Sequence, residues 1–204
     1  MLGWAVESAL ASGVFDAVYV STEDEEIAGV AEGLGARVHE RPMDLAQDLS
    51  SSTDVCLDVA DARSAAGDHH ETLLCLQPSS PLVEASDVRS AWETFVTERA
   101  TYLLSVTPID PHYFHWALRQ DSEGWAPYFG DEYMKDRLEL PAVFRPNGAI
   151  KIAAIADLRE RGNFFGSPLA VHHMPEGRSV HVATRLDARL AELLIGDRTA
   201  HRSI

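Results

Sequence analysis

Apolar residues recur along this chain in two rhythms, one of helices and one of strands. Leu2, Ala5, Val6, Ala9 and Leu10 share one face at helical spacing, and Gly13 is placed to end that helix. The run AVYVS, Ala17 to Ser21, is β-branched and aromatic and has the length of a strand. A second helix follows. Thr22 is its expected cap, Asp24, Glu25 and Glu26 suit its positive end, and Ile27, Val30, Ala31 and Leu34 carry its apolar stripe to Gly35. ARVHE is a short strand, and the loop RPMDLAQDLSSS leads into a helix from about Thr53 to Ala65. The strand TLLCL, the loop QPSSPL, a helix from about Ala85 to Glu98 and the strand TYLLSV come next. Pro108 to Pro141 is polar and aromatic, with weak periodicity. Beyond it GAIKIAAI and LAVHHM read as strands, and ADLRERG and RLDARLAELL as helices.

Strand and helix in regular alternation predict mostly parallel strands joined by crossover helices, a doubly wound α/β sheet covered on both faces. With 204 residues and 46% hydrophobic content, the chain suits one domain over 1–204, with an irregular insert at about 108–141.

Charge narrows the partners. A net charge of -15 argues against nucleic acid, whose phosphates require clustered Lys and Arg. No basic leader precedes an apolar stretch, and no apolar run approaches the ~20 residues that cross a bilayer, so the expectation is a cytoplasmic protein with no membrane partner. Cys56 and Cys75 lie in apolar segments without CxxC spacing and read as small buried hydrophobes. The histidines form no ligand set: His172 and His173 point to opposite faces of a strand, and neither His69 with His70 nor His112 with His115 has further ligands beside it.

In a doubly wound sheet ligands bind beyond the carboxyl ends of the strands, which directs attention to the loops there. VSTEDEE, RPMDLAQDLSSSTD, LQPSSPL and FRPNGAIKI hold the unusual content. Singly, their serines, prolines and Asn147-Gly148 are ordinary turn formers. As a set they carry a resemblance. In order and spacing, VSTEDEEIA, RPMDLAQDLSSSTDV, LQPSSPL, LPAVFRPNGAIKI and NFFGSPLAVHHMPEGRSV resemble the acylneuraminate cytidylyltransferases, over nearly the whole chain.

The resemblance implies a Rossmann-like nucleotidyltransferase fold and an enzyme that joins CTP to a 2-keto sugar acid, an N-acylneuraminate or related nonulosonate, releasing pyrophosphate with Mg²⁺. It also implies a homodimer. Arg41, Ser50, Ser51 and Ser52 match a loop that contacts the nucleotide, where a guanidinium and hydroxyls donate to phosphate or ribose oxygens. Gln77 matches a sugar-binding amide. Arg137, Arg145 and Asn147 match the stretch facing the sugar carboxylate or the phosphates, the two arginines as catalytic candidates and Asn147 as a sugar contact. Phe164 and Phe165 match an aromatic pair lining the sugar pocket, with core packing the equal alternative. The aromatics of 113–129 are candidate dimer anchors.

Two departures stand out. The resemblance places magnesium-holding aspartates where this chain has His181 and Ala183, leaving Asp187 as the remaining metal candidate. Hard Mg²⁺ wants oxygen ligands, which His181 and Ala183 do not supply. The resemblance also implies a strand and a glycine-rich phosphate loop ahead of Met1, so the fold is expected with its first strand missing. Three readings follow: the natural start lies upstream, the chain is a truncated relative, or another chain supplies the strand by edge pairing. The rival to an enzyme is a non-catalytic binding or scaffolding module.

Overall fold

A computed structural model describes residues 1–47 and 49–202 of the chain, with side chains described through Gly196. Helix α1 (Leu2–Ser12) ends as its pattern predicts, with Gly13 in the left-handed region at φ 71°, a conformation glycine adopts without a side-chain clash. Strand β1 (Tyr19–Thr22) follows and leads to α2 (Glu25–Gly33). The cap of α2 is Asp24 rather than Thr22: the Asp24 carboxylate accepts from the N–H groups of Glu26 and Ile27 at 2.8 and 3.0 Å. Thr22 acts one step earlier, accepting from the Asp24 N–H at 3.1 Å.

Strand β2 (Arg37–Glu40) pairs with β1 in parallel. Helix α3 (Ser52–Ala65) is capped by the Ser51 hydroxyl, and β3 (Thr72–Leu76) follows. Helix α4 (Ala85–Thr97) opens on a reciprocal cap between Glu84 and Asp87 and hands over to β4 (Tyr102–Ile109). The weakly periodic stretch resolves into α5 (Pro111–His115), a hairpin of β5 (Leu118–Asp121) and β6 (Gly124–Pro127), and two single turns. The chain closes with β7 (Val143–Ala154), α6 (Ile155–Arg161), β8 (Leu169–His173) and α7 (Arg185–Arg202).

The strands form two sheets that matter for the site, β1–β2 and β3–β7–β4–β8. In the larger sheet β8 runs parallel to β4, whereas β7 is antiparallel to both β3 and β4. The alternation of helix and strand predicted a mostly parallel sheet, and β7 is its reversed member. It is entered from the long 108–141 excursion rather than from a crossover helix, so nothing obliges it to run with its neighbours.

Both faces of the larger sheet are covered. On one, Val88, Ala91 and Phe95 of α4 pack on Leu103, Ile150 and Ile152. On the other, Leu158 of α6 and Cys56 and Leu57 of α3 pack with Leu73, Leu104, Ala153 and Phe164. Leu103 and Leu104 thus serve opposite faces, as the two-residue period of a strand requires. Burying such a side chain contributes roughly 1.5–3 kcal/mol. A third cluster, Val6, Ala31 and Ala36 against Val18, Val20 and Val38, fixes β1 and β2 to α1 and α2.

Candidate active site

Asp16, just ahead of β1, has its carboxylate 3.9 Å from Nδ1 of His70, just ahead of β3. The two strands therefore start at the same end and carry their carboxyl ends to the same side. Between them runs a groove of about 930 Å³. At its carboxyl mouth stand Thr22, Arg41, Ser50, Ser52 and Gln77, so four of the sequence-predicted residues share one opening.

Arg41 donates from Nε to the Glu23 carboxylate at 2.8 Å, and its guanidinium holds the Glu23 carboxyl below its usual range. The serines divide their work. The Ser51 hydroxyl accepts from the Asp54 N–H at 3.1 Å and caps α3, and the Ser50 hydroxyl accepts from the Gln47 N–H at 3.2 Å, bracing the loop. The Ser52 hydroxyl accepts from Lys151 Nζ at 2.9 Å.

Lys151 escaped the sequence reading. It sits in the middle of β7 opposite Cys75, with its ammonium 5.5 Å from the centre of the Phe164 ring. Its signal was a lone cation inside the apolar run GAIKIAAI. Beside it, Cys56 and Cys75 are free thiols, and the contact with Cys75, together with burial, pushes the Cys56 thiol well up.

Gln77 is fixed by its backbone, whose N–H donates to the Ala149 carbonyl at 3.3 Å, while its amide lies 3.7 Å from Cys75 Sγ. Asn147 has a different setting from the one expected of a sugar contact. It is 3% exposed, its Nδ2 donates to Ser179 Oγ at 2.9 Å and reaches Met174 Sδ at 3.3 Å, and its Oδ1 accepts from Ser105 Oγ and the Ala149 N–H. All of its hydrogen-bonding capacity is engaged inside the protein. The bulge at Ser105 in β4 creates this joint, because the Ser105 hydroxyl also accepts from the Ile150 N–H at 2.8 Å.

The remaining candidates are dispersed. Arg145 is exposed on β7 across from Thr107, and Arg137 projects from the excursion with Nε 3.3 Å from Asp110. Neither lines the groove. Phe164 is buried at 3% exposure in the α6 face of the core, whereas its neighbour Phe165 is 58% exposed, so the pair is split between core and surface.

The residues present do not fit a magnesium centre. His181 places Nδ1 3.3 Å from Ser79 Oγ and 3.4 Å from Ser80 Oγ, and Ala183 has no side-chain oxygen. Asp187 accepts from the N–H groups of Ala183 and Thr184 at 3.2 and 2.7 Å, capping α7, and the Thr184 hydroxyl bond holds its carboxyl below the usual range. Among the described residues no three His, Cys, Asp or Glu side chains gather where a metal ion would sit. Nor, among them, is any helix long and apolar enough to cross a membrane.

The chain belongs to the nucleotidyltransferases, and its likeness to known proteins carries that assignment. The cytidylyltransferase family profile matches residues 1–113, and the chain belongs to that family. Relatives include the pseudaminic acid cytidylyltransferase of Campylobacter jejuni, 25% identical over 95% of this chain and 84% of its own length. The N-acylneuraminate cytidylyltransferase of Escherichia coli is 30% identical over 94% of this chain and 45% of its own length. The Danio rerio N-acylneuraminate cytidylyltransferase A is 28% identical, with 94% of this chain and 44% of that one covered. The chain thus spans less than half the length of these two acylneuraminate relatives. Among solved structures, a CMP:2-keto-3-deoxy-manno-octonic acid synthetase complexed with CTP superimposes with a TM-score of 0.68 at 14% identity, covering 96% of this chain and 87% of that one. A 4-diphosphocytidyl-2C-methyl-D-erythritol synthase gives 0.62 at 13% identity, covering 95% and 87%. Likeness at these identities establishes the fold.

Proposed function

We propose that this cytidylyltransferase transfers CMP from CTP to a nonulosonic acid, a sialic or pseudaminic acid. The observation that carries the reading is the set Arg41, Ser50, Ser52 and Gln77 around one opening, within a chain related along 94–95% of its length to enzymes for these acids. In the reaction the anomeric hydroxyl oxygen attacks the α-phosphorus of CTP. A new P–O bond forms, the bond from that phosphorus to the bridging oxygen breaks, pyrophosphate leaves, and the hydroxyl proton passes to solvent. Catalysis of this kind rests on positioning and on charge neutralisation. Arg41 supplies a fixed fork of donors for phosphate oxygens, and the Ser50 and Ser52 hydroxyls supply adaptable ones. The exposed aromatics Tyr113, Trp125 and Tyr128 support a homodimer, and CTP as donor supports a cytoplasmic site of action.

The test is direct. The protein is incubated with CTP and, separately, N-acetylneuraminic, pseudaminic and 2-keto-3-deoxy-manno-octonic acids, with pyrophosphate and the CMP-sugar both measured. Equal amounts of both products with a nonulosonic acid are expected. Turnover of the octonic acid alone, or of none of the three, overturns the proposal.

A further inference from the structure

Ser52, Lys151, Cys75 and Cys56 form a ring of four side chains beneath α3. Lys151 donates to the Ser52 hydroxyl at 2.9 Å and stands opposite Cys75 in the antiparallel pairing of β7 with β3. Directly opposed residues of such a pair point to the same face, with Cβ atoms about 5 Å apart. Cys56 follows Ser52 by four residues, hence one turn further along the same face of α3. The ring closes between the two thiols, which pack against the same cluster of Leu104 and Phe164 and both line the groove. A thiol kept only for packing has apolar surroundings that hold its proton on. Cys75 has the opposite: the Lys151 ammonium is its cross-strand neighbour, and the Gln77 amide nitrogen lies 3.7 Å from its sulfur. The Cys56 thiol, donating to it, and the Lys151 charge hold the Cys75 thiol below its usual range, whereas Cys56, as the donor, is pushed well up.

The two sulfurs are adjacent, unlike in character and reached from one groove, and the chain holds no other cysteine. We propose that Cys56 and Cys75 form a site of reversible oxidation by hydroperoxides, in which Cys75 is the attacking sulfur and Cys56 the resolving one, and which ends in a disulfide between them. In the first step the Cys75 thiolate attacks the terminal oxygen of the hydroperoxide. An S–O bond forms, the O–O bond breaks, and the departing oxygen takes up the proton that Cys75 had given to solvent. In the second step the Cys56 sulfur attacks the sulfenic sulfur of Cys75. An S–S bond forms, the S–O bond breaks, and the Cys56 proton leaves with the hydroxide as water. The two thiols together lose two electrons, and the hydroperoxide is reduced to an alcohol and water, or to two waters when it is hydrogen peroxide. The disulfide would tie α3, one turn beyond Ser52, to β3, two residues before Gln77, and so brace the mouth of the groove from beneath. The inference stands independently of the proposed reaction.

The experiment follows the full chain by mass spectrometry. Reduced protein, freed of reductant, is treated with a slight excess of hydrogen peroxide, then unfolded and alkylated. A loss of about 2 Da is expected, with both cysteines shielded from alkylation and their peptides linked, and dithiothreitol should restore the starting mass. Cys56→Ser should instead hold Cys75 as a sulfenic acid, about 16 Da heavier and captured by dimedone, whereas Cys75→Ser should react at Cys56 about tenfold more slowly than the native protein reacts. The measurement on the native protein does not depend on either variant folding. A disulfide between two chains, oxidation of Cys75 beyond the sulfenic acid with Cys56 still free, or two free thiols after treatment each overturns the inference. Oxidation of Cys56 in Cys75→Ser at the native rate overturns it as well, because the attacking sulfur would then be the other one.

Discussion

Lys151 donates to the Ser52 hydroxyl at 2.9 Å, joining the centre of β7 to the first turn of α3 across 99 positions of sequence. The bond holds the start of α3, and with it the loop that carries Ser50, against the larger sheet. Lys151→Met and Ser52→Ala should each destabilise the protein. A double-mutant cycle in urea should return a coupling of about 1.5–3 kcal/mol, the usual net value of a hydrogen bond to a charged group. A coupling of zero would mean that the contact does not matter in solution.

Arg41 and Glu23 make an exposed pair, and such pairs contribute ~0–1 kcal/mol to stability. Arg41→Ala should therefore leave the unfolding midpoint nearly unchanged. If Arg41 serves CTP, kcat/KM for CTP falls roughly ten- to a hundredfold, the worth of one or two charge-assisted bonds. Steady-state kinetics alongside a thermal melt separates the two effects.

Asp87 gives the fold an acid limit. Burial raises its carboxyl, but His172, two bonds from Arg178 at 2.8 and 2.9 Å and the Glu84 N–H bring it down to about 2, against 3.8 for the free side chain. A carboxyl lowered in the folded state stabilises fully above the unfolded value, and that contribution is lost as pH falls from about 4 through about 2. The amount at stake is on the order of 2 kcal/mol. Asp87→Asn should be less stable at neutral pH and should lack this acid limb in a series of urea melts between pH 5 and 2.

Asn147 ties β7 to β4 and to the stretch after β8; Asn147→Ala leaves the Ala149 N–H without its acceptor, while Ser105 keeps Ile150 and Ser179 keeps the Pro175 carbonyl. Each unsatisfied group costs about 1–3 kcal/mol. A loss of about 1–3 kcal/mol is expected whether or not substrate is present, and a melt unchanged from the native protein would refute the structural role.

Gly166 faces the ring of Tyr102, and a Cβ there would overlap it. Tyr102 is itself 3% exposed and anchored by its hydroxyl, which donates to the Asp157 carbonyl at 2.8 Å, so the ring has little room to yield. Gly166→Ala should cost about 1–3 kcal/mol, the usual range for overpacking. Tyr102→Leu in the same background should recover part of it.

Most of the architecture was legible because its signals are local. The stripe of α1 with Gly13 behind it, the β-branched run into β1, and the apolar TLLCL and TYLLSV each specify an element without outside help. Thr22 and Asp24 both suit a helix start, and the choice between them depended on where the first turn closes, which periodicity leaves open to within a residue or two. The direction of β7 was hidden, since a strand has the same alternation in either sense. The site was partly legible. Arg41, Ser50, Ser52 and Gln77 follow strand ends and share the mouth that topology assigns them, whereas Asn147 and Phe164 face inward. Polar and aromatic types at a loop carry no mark of which way they turn. Lys151 was missed because its partner Ser52 is so distant in sequence.

The separation of β1–β2 from the larger sheet also bears on cooperativity. A continuous sheet transmits disruption from strand to strand through its ladder, so that it melts as a unit. Here the smaller sheet is tied to the larger through helices, with α1 packed on α4 and α3 bridging β1 and β3. Its unfolding is thereby coupled to that of β3, β7, β4 and β8 through helix packing and not through a strand ladder. The molecule should not lose structure in one all-or-none step: the leaf formed by α1, β1, α2 and β2 should detach first, in a transition of small amplitude, and leave the four-stranded body folded behind it.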